Sequence, residues 1–201
     1  MQRAWYLAGW GYVAIAAAVV YRALNPGVAP GMLATPPELA VVSSFGGTEA
    51  ARWFAAVRPH CNALEVNLQM QSSPPPDGWE GAGFGASCHA VAGQIDRARE
   101  IIDALPQRDR ANAAGVVFEV GHPIADAGDD RSAGPIMQLV VEFQPWNYMA
   151  LYHAGMSYYA IGETGLARKH LEEFMRQYKA EDGWLANART VFGRLDRGGD
   201  R

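Results

Sequence analysis

The chain has 201 residues, 49% of them hydrophobic and 19% charged, which is enough apolar material for a buried core and too much for a disordered chain. The formal net charge is -4, and because Arg3 and Arg22 flank the first apolar stretch, the remainder holds 15 of the 17 basic residues against all 21 acidic ones. That balance excludes a basic nucleic-acid surface and a domain lying flat on anionic lipid, and two cysteines, Cys61 and Cys88, are too few for a zinc ribbon.

From Ala4 to Tyr21 no residue is charged. As a helix this stretch is roughly 27 Å long, close to the hydrocarbon thickness of a bilayer. Trp5, Tyr6 and Tyr21 stand near its two ends, as in interfacial aromatic belts. Arg22 lies near the end and can snorkel, so the helix extends to Leu24 before Asn25, Pro26 and Gly27 stop it. Residues 1–24 are therefore expected to form a transmembrane anchor that stays attached. A cleaved signal peptide and a buried core helix are the alternatives. The first is disfavoured by the length of the run and by Trp10 and Tyr12 within it, the second by the lack of a polar face. The amino terminus and Arg3 favour an N-inside, C-outside orientation, which puts the acidic part and both cysteines in an oxidising exterior such as a periplasm.

Residues 25–47 read as a linker bearing Pro26, Pro30, Pro36 and Pro37, with a short helix or strand at 38–42. Thr48 is suited to cap a helix with Glu49 in its first turn. Ala50, Phe54, Val57, Cys61, Leu64 and Leu68 follow as one apolar stripe, which Pro59 should kink or split. Ser72 to Gly78, with Pro74, Pro75 and Pro76, reads as a stiff extended spacer rather than a ligand site.

Self-similarity dominates the rest. Gly121, Gly128, Ala133 and Met137 recur 34 residues later as Gly155, Gly162, Ala167 and Leu171, and Gly93, Ala98 and Ile102 precede their counterparts by 35. In the last unit Leu151, Ala154, Gly155 and Tyr158 mark the inner face of one helix, and Leu166, Ala167, Leu171 and Phe174 that of the next, with a break at Gly162. Small residues such as Gly155 and Ala167 let two helices approach closely. Within 114–144, Pro123 and Pro135 predict a shortened or distorted pair whose second helix starts at Pro135, where a missing N–H costs nothing. Leu185, Ala188, Val191, Phe192 and Leu195 form the stripe of a solitary last helix that closes the array, followed by a flexible tail at 197–201.

The pattern Leu151, Ala154-Gly155, Tyr158, Gly162, Ala167, Leu171 and Phe174, with Pro145 between units, resembles a tetratricopeptide repeat. Gly93, Ala98, Ile102 and Leu105 carry a second, fainter copy. The fold expected is all-α: an antiparallel helical-hairpin array over 48–196, preceded by one transmembrane helix. A plain helical-hairpin array is the alternative. In that family the first helix of each unit lines the concave face, where ligands usually bind. The resemblance thus implies a partner stripe of Met149, Tyr152, Met156 and Tyr159, continued by Phe118 and His122. Two thioethers and two phenols on one stripe suit a contact surface, although burial against neighbouring helices or the last helix is the competing reading.

His60-Cys61 and Cys88-His89 offer two sulfurs and two imidazoles. Burial, a Cys61–Cys88 disulfide and a metal site all remain open, the metal disfavoured because adjacent side chains on a helix diverge by about 100°. Asp126, Asp129 and Asp130 make an acidic loop that reads as a solvated or partner-facing turn, without the closing Glu of an EF-hand. No nucleophile elbow, phosphate loop, zinc-protease helix or dinucleotide turn occurs. The expectation is a non-catalytic scaffold without cofactor, held in the bilayer through Ala4 to Tyr21. Its partners would be other subunits of a membrane complex, respiratory or photosynthetic, and not nucleic acid. An envelope or cytochrome-maturation assembly factor is one alternative, and a metal-binding or enzymatic protein built on His60, Cys61, Cys88 and His89 is another.

Overall fold

The computed structural model describes residues 47–198. The expected anchor, residues 25–46 of the linker and the last three residues lie outside them. The described residues are all-α, with nine α-helices, one 3-10 turn and no strand among them. In chain order these are α1 (Glu49–Val57), the 3-10 turn (Arg58–His60), α2 (Val66–Ser72), α3 (Trp79–Val91), α4 (Ile95–Asp103), α5 (Gln107–Asp126), α6 (Asp130–Phe143), α7 (Tyr148–Ala160), α8 (Thr164–Gln177) and α9 (Gly183–Gly198). None of these is long and apolar enough to cross a membrane.

Thr48 caps α1, its hydroxyl oxygen accepting from Ala51 N at 3.1 Å. Pro59 ends the helix and turns the chain into the 3-10 segment. The apolar stripe accordingly fails beyond it. Ala50, Phe54, Val57 and Cys61 are buried, but Leu64 and Leu68 are 94% and 70% exposed. The chain re-enters helical geometry at Val66 with a new rotation, and Val66 takes the buried place. Phe54 stacks on Phe84 of α3 with ring centroids 4.9 Å apart. Cys61 is joined to Cys88 of α3, with Cα atoms 4.8 Å apart. The proline spacer lies along α3, because Gly81 and Gly85 leave room for it. A Cβ on Gly81 would fall 1.8 Å from Pro76 O, and one on Gly85 3.2 Å from Pro75 Cγ.

Three hairpins follow, α3–α4, α5–α6 and α7–α8, each closed by the same turn. Gly93, Gly128 and Gly162 have φ of 79°, 76° and 86°, a region that favours glycine. After each, the next N–H reaches back across the helix end: Gln94 to His89 O, Asp129 to Ile124 O, Glu163 to Tyr158 O. Four residues on, Ala98, Ala133 and Ala167 bond to the residue after the glycine and are fully buried. The first helices touch one another, α3 with α5 and α5 with α7, and each second helix packs on its own first helix. α6 also packs on α7, and α4 on α6 through a two-pronged Arg99–Glu142 ion pair at 2.6 and 3.1 Å.

The middle hairpin corrects the sequence reading. α5 is not shortened: it is 20 residues long and carries Pro123 in its last turn. α6 does not start at Pro135. It starts at Asp130, with the Asp129 carboxylate accepting from Ser132 N at 3.4 Å. The glycine turn fixes where the helix begins, and the proline is carried inside it. Pro135 withholds one N–H from Arg131 O, but Arg131 is exposed, so water can serve that carbonyl. Its neighbour Gly134 has a use. A Cβ there would stand 3.2 Å from the Tyr158 ring, whose hydroxyl donates to Gln138 Oε1 at 2.7 Å.

Leu185, Ala188, Val191 and Leu195 of α9 are buried against α8 and α7, while Phe192 stays half-buried under the Arg168 guanidinium. The helix continues to Gly198, past the Leu195 at which the apolar stripe ends. At Gly155 the close neighbour is Leu171, one turn beyond Ala167. A Cβ on Gly155 would lie 2.7 Å from Leu171 Cδ2 and 3.2 Å from its backbone nitrogen. Gly155→Leu is therefore expected to overpack α7 against α8 and to cost about 1–3 kcal/mol in chemical denaturation. A variant with the parent's midpoint and slope would show that this crossing is not tight.

Candidate functional site

The partner stripe expected on α7 divides in the structure. Met149, Met156 and Tyr159 keep partial exposure, as do Phe118 and His122 on α5. Tyr152 does not. It is 8% exposed, with its ring edge-on to Trp184 at 4.6 Å and to Phe174 at 5.2 Å. Its hydroxyl accepts from Asn187 Nδ2 at 2.8 Å, so α9 covers it. Tyr152 is a packing residue for the last helix and leaves the surface stripe.

Beside it, the structure brings together three groups that the sequence reading kept apart. His122 and Asp126 stand one turn apart on α5, and His153 faces them from α7. His122 Nε2 is 3.7 Å from Asp126 Oδ2, and His153 Nε2 is 3.9 Å from Asp126 Oδ1. The two imidazoles meet edge to face at 4.7 Å. One ligand atom from each residue lies within 4.8 Å of the others. Phe118 stacks on His122 at 5.1 Å, and Tyr152 and Trp184 present edges to His153 at 5.6 and 5.9 Å. Those two rings, with Asp182 and Gly183, also line an open hollow of about 450 Å³.

His153 is the buried member. Its side chain is 8% exposed, and its Nε2 has no hydrogen-bond partner among the described residues. Burial pushes its imidazole down to about 4, His122 adds to the fall, and Asp126 opposes it. At neutral pH His153 is therefore uncharged, and its proximity to Asp126 is not an ion pair. Separations of 3.7 and 3.9 Å are also too long for hydrogen bonds. The carboxylate and two imidazoles converge without bonding one another.

The sequence pointed to His122 but not to His153. The 34-residue period aligns His122 with Met156, and His153 lies one turn earlier on the same helix. Two imidazoles on neighbouring first helices, one turn out of phase, were the available signal. In sequence Asp126 belongs to the acidic loop, which the structure disperses. Asp129 caps α6, Asp130 is the first residue of that helix, and Asp126 alone turns to the histidines.

The quartet His60, Cys61, Cys88 and His89 does not make a metal site, because both sulfurs are spent in the disulfide and a thiolate is what zinc requires. His60 is exposed beside Glu65 at 3.3 Å, and His89 is buried and hydrogen-bonded with Gln94 at 2.9 Å. No protein-family model, curated protein or solved structure matches the chain.

Proposed function

We propose that this protein is a membrane-anchored scaffold. Its tetratricopeptide-like helical array holds other subunits of a larger membrane complex, respiratory or photosynthetic, and it does no chemistry on them. The observation that carries the reading is the recurrence of one helix–glycine turn–helix geometry at Gly93, Gly128 and Gly162. Units of this kind cannot bury their apolar faces alone, so they stack, take a closing helix such as α9, and leave long side surfaces for partners. The Cys61–Cys88 bridge favours an oxidising compartment and so an extracytoplasmic placement of the array. The uncharged run from Ala4 to Tyr21 supplies the anchor. Trp146, 63% exposed, and Tyr148, 44% exposed, add aromatic surface at the entry to α7, next to Met149. An assembly factor of the envelope or of cytochrome maturation shares this plan.

The test compares the full chain with a Met156→Ala/Tyr159→Ala double variant, both extracted in mild detergent, with co-purifying proteins quantified by mass spectrometry. These two residues are partly exposed and leave the His122–Asp126–His153 cluster intact. Loss of a defined set of subunits at an unchanged melting temperature supports the reading. Retention of every partner, or unfolding of the variant, removes the α7 stripe as the binding surface.

A further inference from the structure

We propose that His122, Asp126 and His153 form a binding site for one divalent transition-metal ion of the zinc class, with its remaining coordination position open to water.

The donor set is two imidazoles and one carboxylate, the set that binds such ions with three protein ligands and leaves a position free. The spacing of the groups fits a metal better than a hydrogen-bonded triad. Hydrogen-bonded partners would close to about 2.8 Å. Ligands at about 2.0–2.1 Å from a tetrahedral ion lie about 3.3 Å from one another. The observed gaps of 3.7 and 3.9 Å are slightly wider than such an edge. The largest ligand separation, up to 4.8 Å, closes by swinging His122 and Asp126, whose side chains are 32% and 58% exposed.

A second, independent observation is His153 itself. It is more than nine-tenths buried, its Nε2 has no hydrogen-bond partner among the described residues, and that atom is aimed at the Asp126 carboxylate. Leaving a buried ring nitrogen unserved is costly, and a metal ion serves it. The backbone agrees in sign. Asp126 is the last residue of α5, where the negative end of the helix dipole favours a cation. Phe118, Tyr152 and Trp184 surround the imidazoles with rings, which lowers the local dielectric and strengthens the attraction between ion and carboxylate. The partial exposure of His122 and Asp126 gives the open position access to solvent.

This inference does not rest on the protein-binding reading, since metal uptake and partner capture are measured separately. Purified full-length protein in detergent, stripped with chelator and dialysed, is titrated with Zn²⁺ by calorimetry and with Co²⁺ by visible absorption. The expected result is one ion per chain, with Co²⁺ bands of tetrahedral or five-coordinate strength and a melting temperature raised by Zn²⁺. His122→Ala and Asp126→Asn should each weaken binding at least about ten-fold, while His60→Ala binds like the parent. A readout on the unmodified chain guards against variants that misfold. Zn²⁺ should protect the part-exposed His122, but not the exposed His60, from diethylpyrocarbonate, as mapped by peptide mass spectrometry. No saturable uptake, uptake unchanged in both ligand variants, or absence of protection at His122 overturns the site.

Discussion

Reduction of the Cys61–Cys88 bridge is expected to lower the stability of the folded array by about 3–4 kcal/mol. The residues are 27 apart in sequence, and the loop they close contains α2 and the proline spacer. An entropy model for a loop of that size gives this figure, because the open chain has many more conformations to lose on folding. Position adds to the effect. α1 and α2 meet the rest of the described array chiefly through α3, and the disulfide is the covalent part of that contact. Both cysteines are buried in one cluster with Phe54, Val57, Val66 and Phe84. Residues 47–78 should therefore loosen first, and protease nicking there should outpace global unfolding. Cys61→Ala/Cys88→Ala is the cleaner variant, since serine would bury a hydroxyl. Equal urea midpoints with and without reductant, and no added cleavage in 47–78, would mean that the bridge carries no stability.

What the sequence revealed and what it hid divide along a physical line. Features governed by one residue's backbone preference were legible. Gly93, Gly128 and Gly162 close the three hairpins because each needs a positive φ. Thr48 caps α1, and Pro59 ends it. The buried stripe of α9 was legible because its period is helical and its opposite face is polar. Features decided by competition between local rules were not. Pro135 suits the first turn of a helix, but Gly128 and the Asp129 cap set that start five residues earlier. Leu64 and Leu68 continued a periodic stripe on paper only, because a proline had reset the helix phase. The candidate site was the least legible part. His122 and Asp126 are visible as a one-turn pair, but His153 sits within the apolar face of α7, between Tyr152 and Ala154. There a histidine reads as core until the neighbouring helix is in place.

Tyr152→Ala is expected to destabilise the protein by about 3 kcal/mol or more, rather than to act on a binding surface. The side chain is 8% exposed and joins three elements. Its ring lies 5.2 Å from Phe174 of α8 and 4.6 Å from Trp184 of α9, and its hydroxyl accepts from Asn187 one turn further along α9. Truncation opens a cavity where α9 docks and strands the Asn187 amide. Leu185, Ala188, Val191 and Leu195 also bury α9 against α8 and α7, so Tyr152 is one of several contacts that dock it. Tyr152→Phe separates the two contributions. It keeps the ring and loses one hydrogen bond, so it should cost only about 0.5–1.5 kcal/mol. Chemical denaturation gives both values. Trp184, 38% exposed and packed on Tyr152, offers a local probe, because its fluorescence should shift to the red in Tyr152→Ala before the rest of the array melts. If Tyr152→Ala unfolds at the parent's denaturant midpoint with Trp184 emission unchanged, α9 is not docked through this residue. Tyr152 then returns to the exposed stripe with Met156 and Tyr159.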